Sequence, residues 1–157
     1  MPEKELEPLD VDEIQSNLNT KIIGRKVLVF NSTSSTNDVA RRYSSDKNCN
    51  GLAIFAEEQD AGRGRAGNKW ISKRSESILC SIILSDLKIN TELLSLTCAV
   101  AAADAIGKNA KIKWPNDVLI NGKKVVGILL EAIVSNNTYT YIIGIGINCH
   151  QTETSFP

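Results

Sequence analysis

Between residues 118 and 147, three apolar runs are separated by two short polar turns, Asn121-Gly122 and Asn136-Asn137. The runs are rich in valine and isoleucine, whose branched side chains suit a pleated strand better than a helix. An Asn-Gly pair accepts the positive φ angles of the tightest hairpin turns. The pattern predicts antiparallel strands over 118–120, 123–134 and 139–147, so the chain must be built on a sheet.

Upstream, helices and strands are mixed. Apolar residues at 9, 11, 14 and 18 suit a short amphipathic helix, after a loose tail over 1–8. Residues 27–30, 52–56 and 77–84 read as strands. The hydroxyls of Ser34, Ser35 and Thr36 offer caps for a helix over 37–43. The clearest helix is 92–106, with Leu93, Leu96, Val100 and Ala103 at three- and four-residue steps and Gly107 ending it. Residues 111–114 form a short strand that Pro115 stops, with Lys111 and Lys113 on one face and Ile112 and Trp114 on the other. This order predicts an α+β (mixed α/β) fold: a mixed sheet with helices packed on it. Residues 1–24 form a tail and short helix, and 25–157 one domain, long enough to bury a core.

Eighteen basic residues balance eighteen acidic ones, which argues against a broad nucleic-acid-binding face. Cys49, Cys80, Cys98 and Cys149 form no CxxC pair, and His150 is the single histidine, so a zinc site is not expected. The cysteines read as buried small apolar residues in a reducing, cytoplasmic setting. The N-terminus is acidic with no apolar run, and no stretch approaches the length of a membrane span.

Three stretches carry chemistry. The segment QDAGRGRAGNKW, residues 59–70, contains G-x-G-x-x-G at Gly62, Gly64 and Gly67. A dinucleotide site needs a helix to begin there, and the residues that follow lack helical period. What remains is a loop whose Arg63, Arg65 and Lys69 could fork onto a phosphate or carboxylate. With three glycines and an alanine, it has little apolar area to hold it down, so it is expected to order only around a ligand. The second stretch is KIKWPND, residues 111–117, followed by Lys123 and Lys124. Successive strand residues face opposite ways, so only one of these two lysines can point into a site. The third is GIGIN, residues 144–148, whose glycines permit close approach to the strand. Taken singly, each stretch also reads as ordinary: a solvated loop, a strand end, a bulge.

Taken together and in order, Ser35-Thr36-Asn37, Gln59 with GRGRAGNKW, KWPND at 113–117, KKVVGILLE at 123–131 and GIGIN at 144–148 resemble the biotin–protein ligase family, whose catalytic fold is similar to that of class II aminoacyl-tRNA synthetases. The resemblance spans about residues 35–148. It implies activation of biotin by ATP, with Mg2+, to biotinyl-5′-AMP and transfer to a lysine of a biotin carboxyl carrier protein. It implies biotin contacts at Ser35, Thr36, Asn37, Gln59, Arg63, Gly64, Arg65, Lys124, Gly127, Leu129, Gly144 and Gly146. Nucleotide contacts fall at Arg65, Trp70, Asn116, Asp117, Lys124 and Asn148. Arg63, Arg65, Lys124 and Asp117 are the expected catalytic groups, and no metal ligand is assigned to the protein. Ala66 and Asn68 stand where some members carry basic residues, which makes this loop less positive. Family catalytic domains continue beyond GIGIN, so a C-terminal part is expected to be missing. The alternatives are a biotin-sensing repressor, an inactive biotin-binding fragment, and a lipoate ligase, which KWPND disfavours. No DNA or membrane partner is expected of these residues. The strand over 139–147 is the expected edge for pairing two chains as a homodimer or for docking the carrier.

Overall fold

A computed structural model describes residues 7–16, 18–135 and 138–151. Seven strands form one mixed sheet: β1 (Val27–Phe30), β2 (Ala53–Ala56), β3 (Ser77–Ser85), β4 (Ala110–Lys113), β5 (Asp117–Ile120), β6 (Lys123–Ser135) and β7 (Thr138–Asn148). Their spatial order is β1-β2-β3-β7-β6-β5-β4. Only β1 and β2 run parallel; every other pair is antiparallel. Three helices accompany them: α1 (Val11–Ser16), α2 (Thr36–Tyr43) and α3 (Thr91–Ile106). The expected α+β architecture is the one observed.

The two faces of the sheet bury different cores. On one, Val39 and Ala40 of α2 pack with Leu52, Ile54, Ile83 and Ile142. On the other, α3 packs against Val118, Val126, Ile128, Tyr141 and Ile143. Strict alternation along β3 and β7 sends Ile83 and Ile142 one way and Tyr141 and Ile143 the other.

Several expectations need correction. Residues 139–147 are no edge: β7 lies between β3 and β6, so both its backbone rows are paired, and the exposed edges belong to β1 and β4. The stripe assigned to the long helix is rotated. Leu93 and Val100 are exposed, while Leu94 and Ala99 are buried with Cys98, Ala102, Ala103 and Ile106 packed about them. Apolar residues occur on more than one side of the helix, so three- and four-residue steps fit more than one stripe; the exposed Thr97 and Asp104 share the outer side with Leu93 and Val100. It also starts one residue earlier, capped by Asn90, whose side chain accepts from the Leu93 N–H at 2.7 Å. The N-terminal helix is shorter than expected and buries none of its residues. Cys49 and Cys80 are buried, but Cys149 is exposed. The Asn121-Gly122 hairpin forms with positive φ at both residues, 50° and 77°. The turn expected at Asn136-Asn137 lies outside the described residues.

Candidate active site

The cleft sits on the α2 face, where β3, β7 and β6 run side by side. Register places Ser81, Gly144 and Leu129 in one row across the sheet, and Leu79, Gly146 and Gly127 in the next. All six face the same side. Three of them are glycines, so the middle of the sheet lacks the side chains that would fill it and a trough runs along β6 and β7. Nothing larger fits there now. A Cβ on Gly146 would lie 2.5 Å from the Trp70 indole, one on Gly127 2.6 Å from it, and one on Gly144 would collide with Asn37 Oδ1.

Trp70 is delivered by the arginine–glycine loop. No helix of ordinary length begins at the G-x-G-x-x-G run; a single 3-10 turn at Arg65–Gly67 does, with Ala66 and Gly67 at φ 54° and 79°. The chain folds back on itself there. Gly64 N–H donates to Asn68 O at 2.7 Å, Trp70 N–H to Gly62 O at 3.0 Å, and the backbones of Arg63 and Lys69 pair in an isolated antiparallel bridge. The loop's other end is stitched to the stretch before α2, through Asp60 N–H to Thr33 O and Ala61 N–H to Ser34 O, both at 2.9 Å. Polar tethers therefore hold the loop at its start and middle, and the Trp70 indole, seated against Gly127 and Gly146, holds its end.

At one end of the trough, the start of α2 meets Gln59. Ser35 occupies the cap position but makes no side-chain cap bond. Instead Gln59 Oε1 accepts from the Thr36 N–H at 2.7 Å and lies 3.1 Å from Thr36 Oγ1. Of the three hydroxyl residues offered as caps, Ser35 and Thr36 line the cleft, while Ser34 Oγ donates to Asp38 Oδ2 at 3.3 Å. Ser81, fully buried, lies 2.7 Å from Thr36 Oγ1 and 2.6 Å from Asn37 Oδ1. Asn37 Nδ2 donates to Glu131 Oε2 at 3.2 Å. Glu131 Oε2 also pairs with Arg41 at 3.3 Å, and Glu131 Oε1 with Arg63 Nη2 at 3.2 Å, while Arg63 Nη1 meets Asp38 at 2.6 Å. These carboxylates, the bond from Asp38 foremost, raise the affinity of Arg63 for its proton above the ordinary guanidinium value.

At the other end lie Lys124, Asp117, Arg65 and Asn116. Lys124 Nζ is 2.8 Å from Asp117 Oδ1 and 5.6 Å from the centre of the Trp70 ring. Arg65 Nη1 donates to Asn116 Oδ1 at 2.8 Å, and Asn116 Nδ2 to Ile128 O at 3.0 Å. The facing of Lys124 has a definite cause. Val118 pairs with Val126 but Leu119 with Lys124, so Val125 is an extra residue in β6, a bulge. Both Val125 and Val126 pack toward α3. Counting back from Gly127 without the bulge would put Lys123 on the cleft side.

The twelve residues expected to contact biotin all line this cleft, as do Trp70 and Asn116. Asp117 lines an adjoining depression with Arg65, Lys69 and Lys124. Asn148 lines neither; its Nδ2 donates to Lys124 O at 3.1 Å and steadies β6. Asp38, Arg41, Ser81 and Glu131 were not singled out from the sequence. Glu131 lies inside the KKVVGILLE stretch, and Ser81 is a polar residue in a strand that is otherwise apolar at its centre; both signals were legible. Cys80 also borders the cleft, but burial pushes its thiol up to about 12, so it is no nucleophile.

Residues 29–148 match the model of the biotin/lipoate A/B protein ligase family. The chain is 38% identical to the bifunctional ligase/repressor BirA of Bacillus subtilis over 95% of its own length and 48% of that protein's. It is 31% identical to the biotin–[acetyl-CoA-carboxylase] ligase of Mycobacterium tuberculosis, over 92% of this chain and 57% of that one. Among solved structures, the biotin protein ligase of Aquifex aeolicus in complex with biotin and ATP superimposes with a TM-score of 0.68 at 31% identity, covering 82% of this chain and 54% of that one. This chain therefore spans about half the length of the curated relatives it matches. With the family model covering most of the chain and the sheet, trough and loop in place, the chain belongs to the biotin/lipoate A/B protein ligase family.

Proposed function

We propose that this chain carries the substrate-activating site of an ATP-dependent biotin–protein ligase. The observation that carries the reading is the glycine trough, with hydroxyl and amide groups at one end and paired cationic groups at the other. Biotin has the same polarity: a ureido ring that gives and takes hydrogen bonds, a thin apolar chain, and a carboxylate. Ser35, Thr36 and Gln59 would meet the ring. The chain would lie on Gly127, Leu129, Gly144 and Gly146, and the carboxylate would reach Lys124 and Arg65. Trp70, Asn116 and Asp117 border the depression that would take the nucleotide. Support comes from relatives named as biotin ligases and from the neighbour holding biotin and ATP.

The chemistry would run in two steps. A biotin carboxylate oxygen attacks the α-phosphorus of ATP and pyrophosphate leaves. The neutral amine of a carrier-protein lysine then attacks the acyl carbon of biotinyl-5′-AMP and AMP leaves. Lys124 and Arg65 would offset the charge that builds on the phosphoryl oxygens in the first step. Asp117 holds the Lys124 ammonium at 2.8 Å, which aims it along the trough. The Trp70 Nε1 donor is buried without a partner and would gain one from a bound carboxylate or phosphate oxygen. No group of three or more His, Cys, Asp or Glu side chains able to hold a metal occurs among the described residues. Magnesium, which keeps several waters and binds through substrate phosphates with one or two carboxylates, would ride on the triphosphate.

ATP–pyrophosphate exchange tests the reading: biotin should drive it and lipoate should not. Equal exchange with lipoate, or exchange with neither acid by the full-length protein, refutes it.

A further inference from the structure

The carboxylate of Glu131 touches both the arginine–glycine loop and the start of α2. Oε1 takes Arg63 from the loop; Oε2 takes Asn37 and Arg41 from α2. Asp38, on α2, takes the other Arg63 nitrogen. Arg63 therefore spans from loop to helix across the mouth of the trough, with both terminal nitrogens engaged by carboxylates. Asn37 is likewise committed: its carbonyl oxygen to Ser81, its amide to Glu131, with the residue 2% exposed. Two of the five N–H donors of Arg63 and one of the two amide N–H donors of Asn37 are thus spent within the protein. The cavity beneath is about 50 Å³, well below the roughly 300 Å³ at which small-molecule pockets begin. Trp70 fills the remainder, seated against Gly127 and Gly146.

We infer that Glu131 is a positioning residue: through Arg63 it straps the 59–70 loop shut over the cleft, and through Asn37 it ties that closure to the end of the trough that would hold the biotin ring. The strap is polar and partly exposed, which suits a contact that must open. Partly exposed ion pairs are individually weak, and they act beside the Trp70 indole that is seated on the glycines. Ligand entry requires the strap to lift and Trp70 to leave the glycines. Ligand retention requires it to close again. Arg63 thus acts through the loop's position, while Arg65 and Lys124 remain the cations turned toward the reacting groups.

The strap itself is tested without any ligand. The ligand-free protein is treated briefly with trypsin, and cleavage after Arg63, Arg65 or Lys69 is followed by mass spectrometry. Glu131→Gln keeps the size of the side chain but removes its charge, and Asp38→Asn does the same on the other arm; neither changes the cleavage sites. Each variant should be cut in this loop several-fold faster than wild type, and the double variant about tenfold faster, from the summed loss of two exposed pairs. Melting temperatures should stay within a few degrees, and cleavage elsewhere should not rise. Glu131→Asp, which keeps the charge, should restore part of the protection. Wild-type cleavage rates in both folded variants, or acceleration spread evenly over all tryptic sites, overturn the strap. The functional half rests on the biotin reading and is measured separately, as the rate at which full-length protein releases biotinyl-5′-AMP. That rate should rise several-fold in Glu131→Gln, with KM for biotin affected more than kcat. An unchanged release rate beside a loosened loop overturns the coupling to retention. Failure of wild type to bind biotin at all, with the trypsin result intact, overturns the ligase reading and leaves the strap standing.

Discussion

At the residue scale, the site depends on single side chains whose direction is set by one or two backbone positions. Lys123 and Lys124 are adjacent and chemically identical, yet the bulge at Val125 sends only Lys124 to Asp117 and the cleft. Lys124→Ala should therefore lower the rate of biotin adenylation by about a hundredfold or more, as expected when a charged contact to a transition state is lost. Lys123→Ala should stay within a few-fold of wild type; similar losses in the two variants would refute the facing. Gly146 makes the complementary point. An added methyl at this position meets Trp70 at 2.5 Å. Gly146→Ala should weaken biotin binding by at least tenfold in a titration that follows Trp70 fluorescence, with little loss of stability because the clash is with a loop side chain. Unaltered affinity would mean that the trough is not where biotin lies.

At the element scale, α3 shows how little the spacing of apolar residues says when more than one stripe fits it, even with Thr97 and Asp104 exposed on the outer side. Its inner face is Leu94, Cys98 and Ala99, not the stripe through Leu93 and Val100. Leu94→Ala should cost about 2–4 kcal/mol through lost burial and a cavity, read as a fall in the urea midpoint. Leu93→Ala should cost well under 1 kcal/mol. Equal costs would return the helix to the orientation the spacing suggested. The 59–70 loop teaches a related lesson. Its composition correctly excluded a dinucleotide-binding helix, but its tethers could not be seen, because they are backbone bonds and charge pairs to residues 25 to 68 positions away.

At the scale of the whole molecule, charge is balanced overall and the cationic groups of the cleft are largely answered by carboxylates close at hand. A balanced charge argues weakly against broad binding to a nucleic-acid backbone. A gel shift with residues 1–157 at moderate salt should show weak, unspecific retardation at most; tight, sequence-selective binding would contradict this. Strand positions, the Asn121-Gly122 hairpin and the α+β class were readable from the sequence because they depend on local preference: branched residues, turn residues and short apolar runs. The lining of the cleft was readable too, but through the order of its motifs and not through any one of them. Three things required the tertiary structure. β7 proved central because strand order depends on which long-range pairings close, and period-two alternation is the same in an edge strand as in a buried one. That Lys124 and not Lys123 faces the cleft was expected from the resemblance, but its cause, a bulge at Val125 that breaks the alternation, came only with the structure. Glu131, Asp38 and Ser81 join the site because folding brings together residues far apart in the chain, and no local propensity encodes such a meeting.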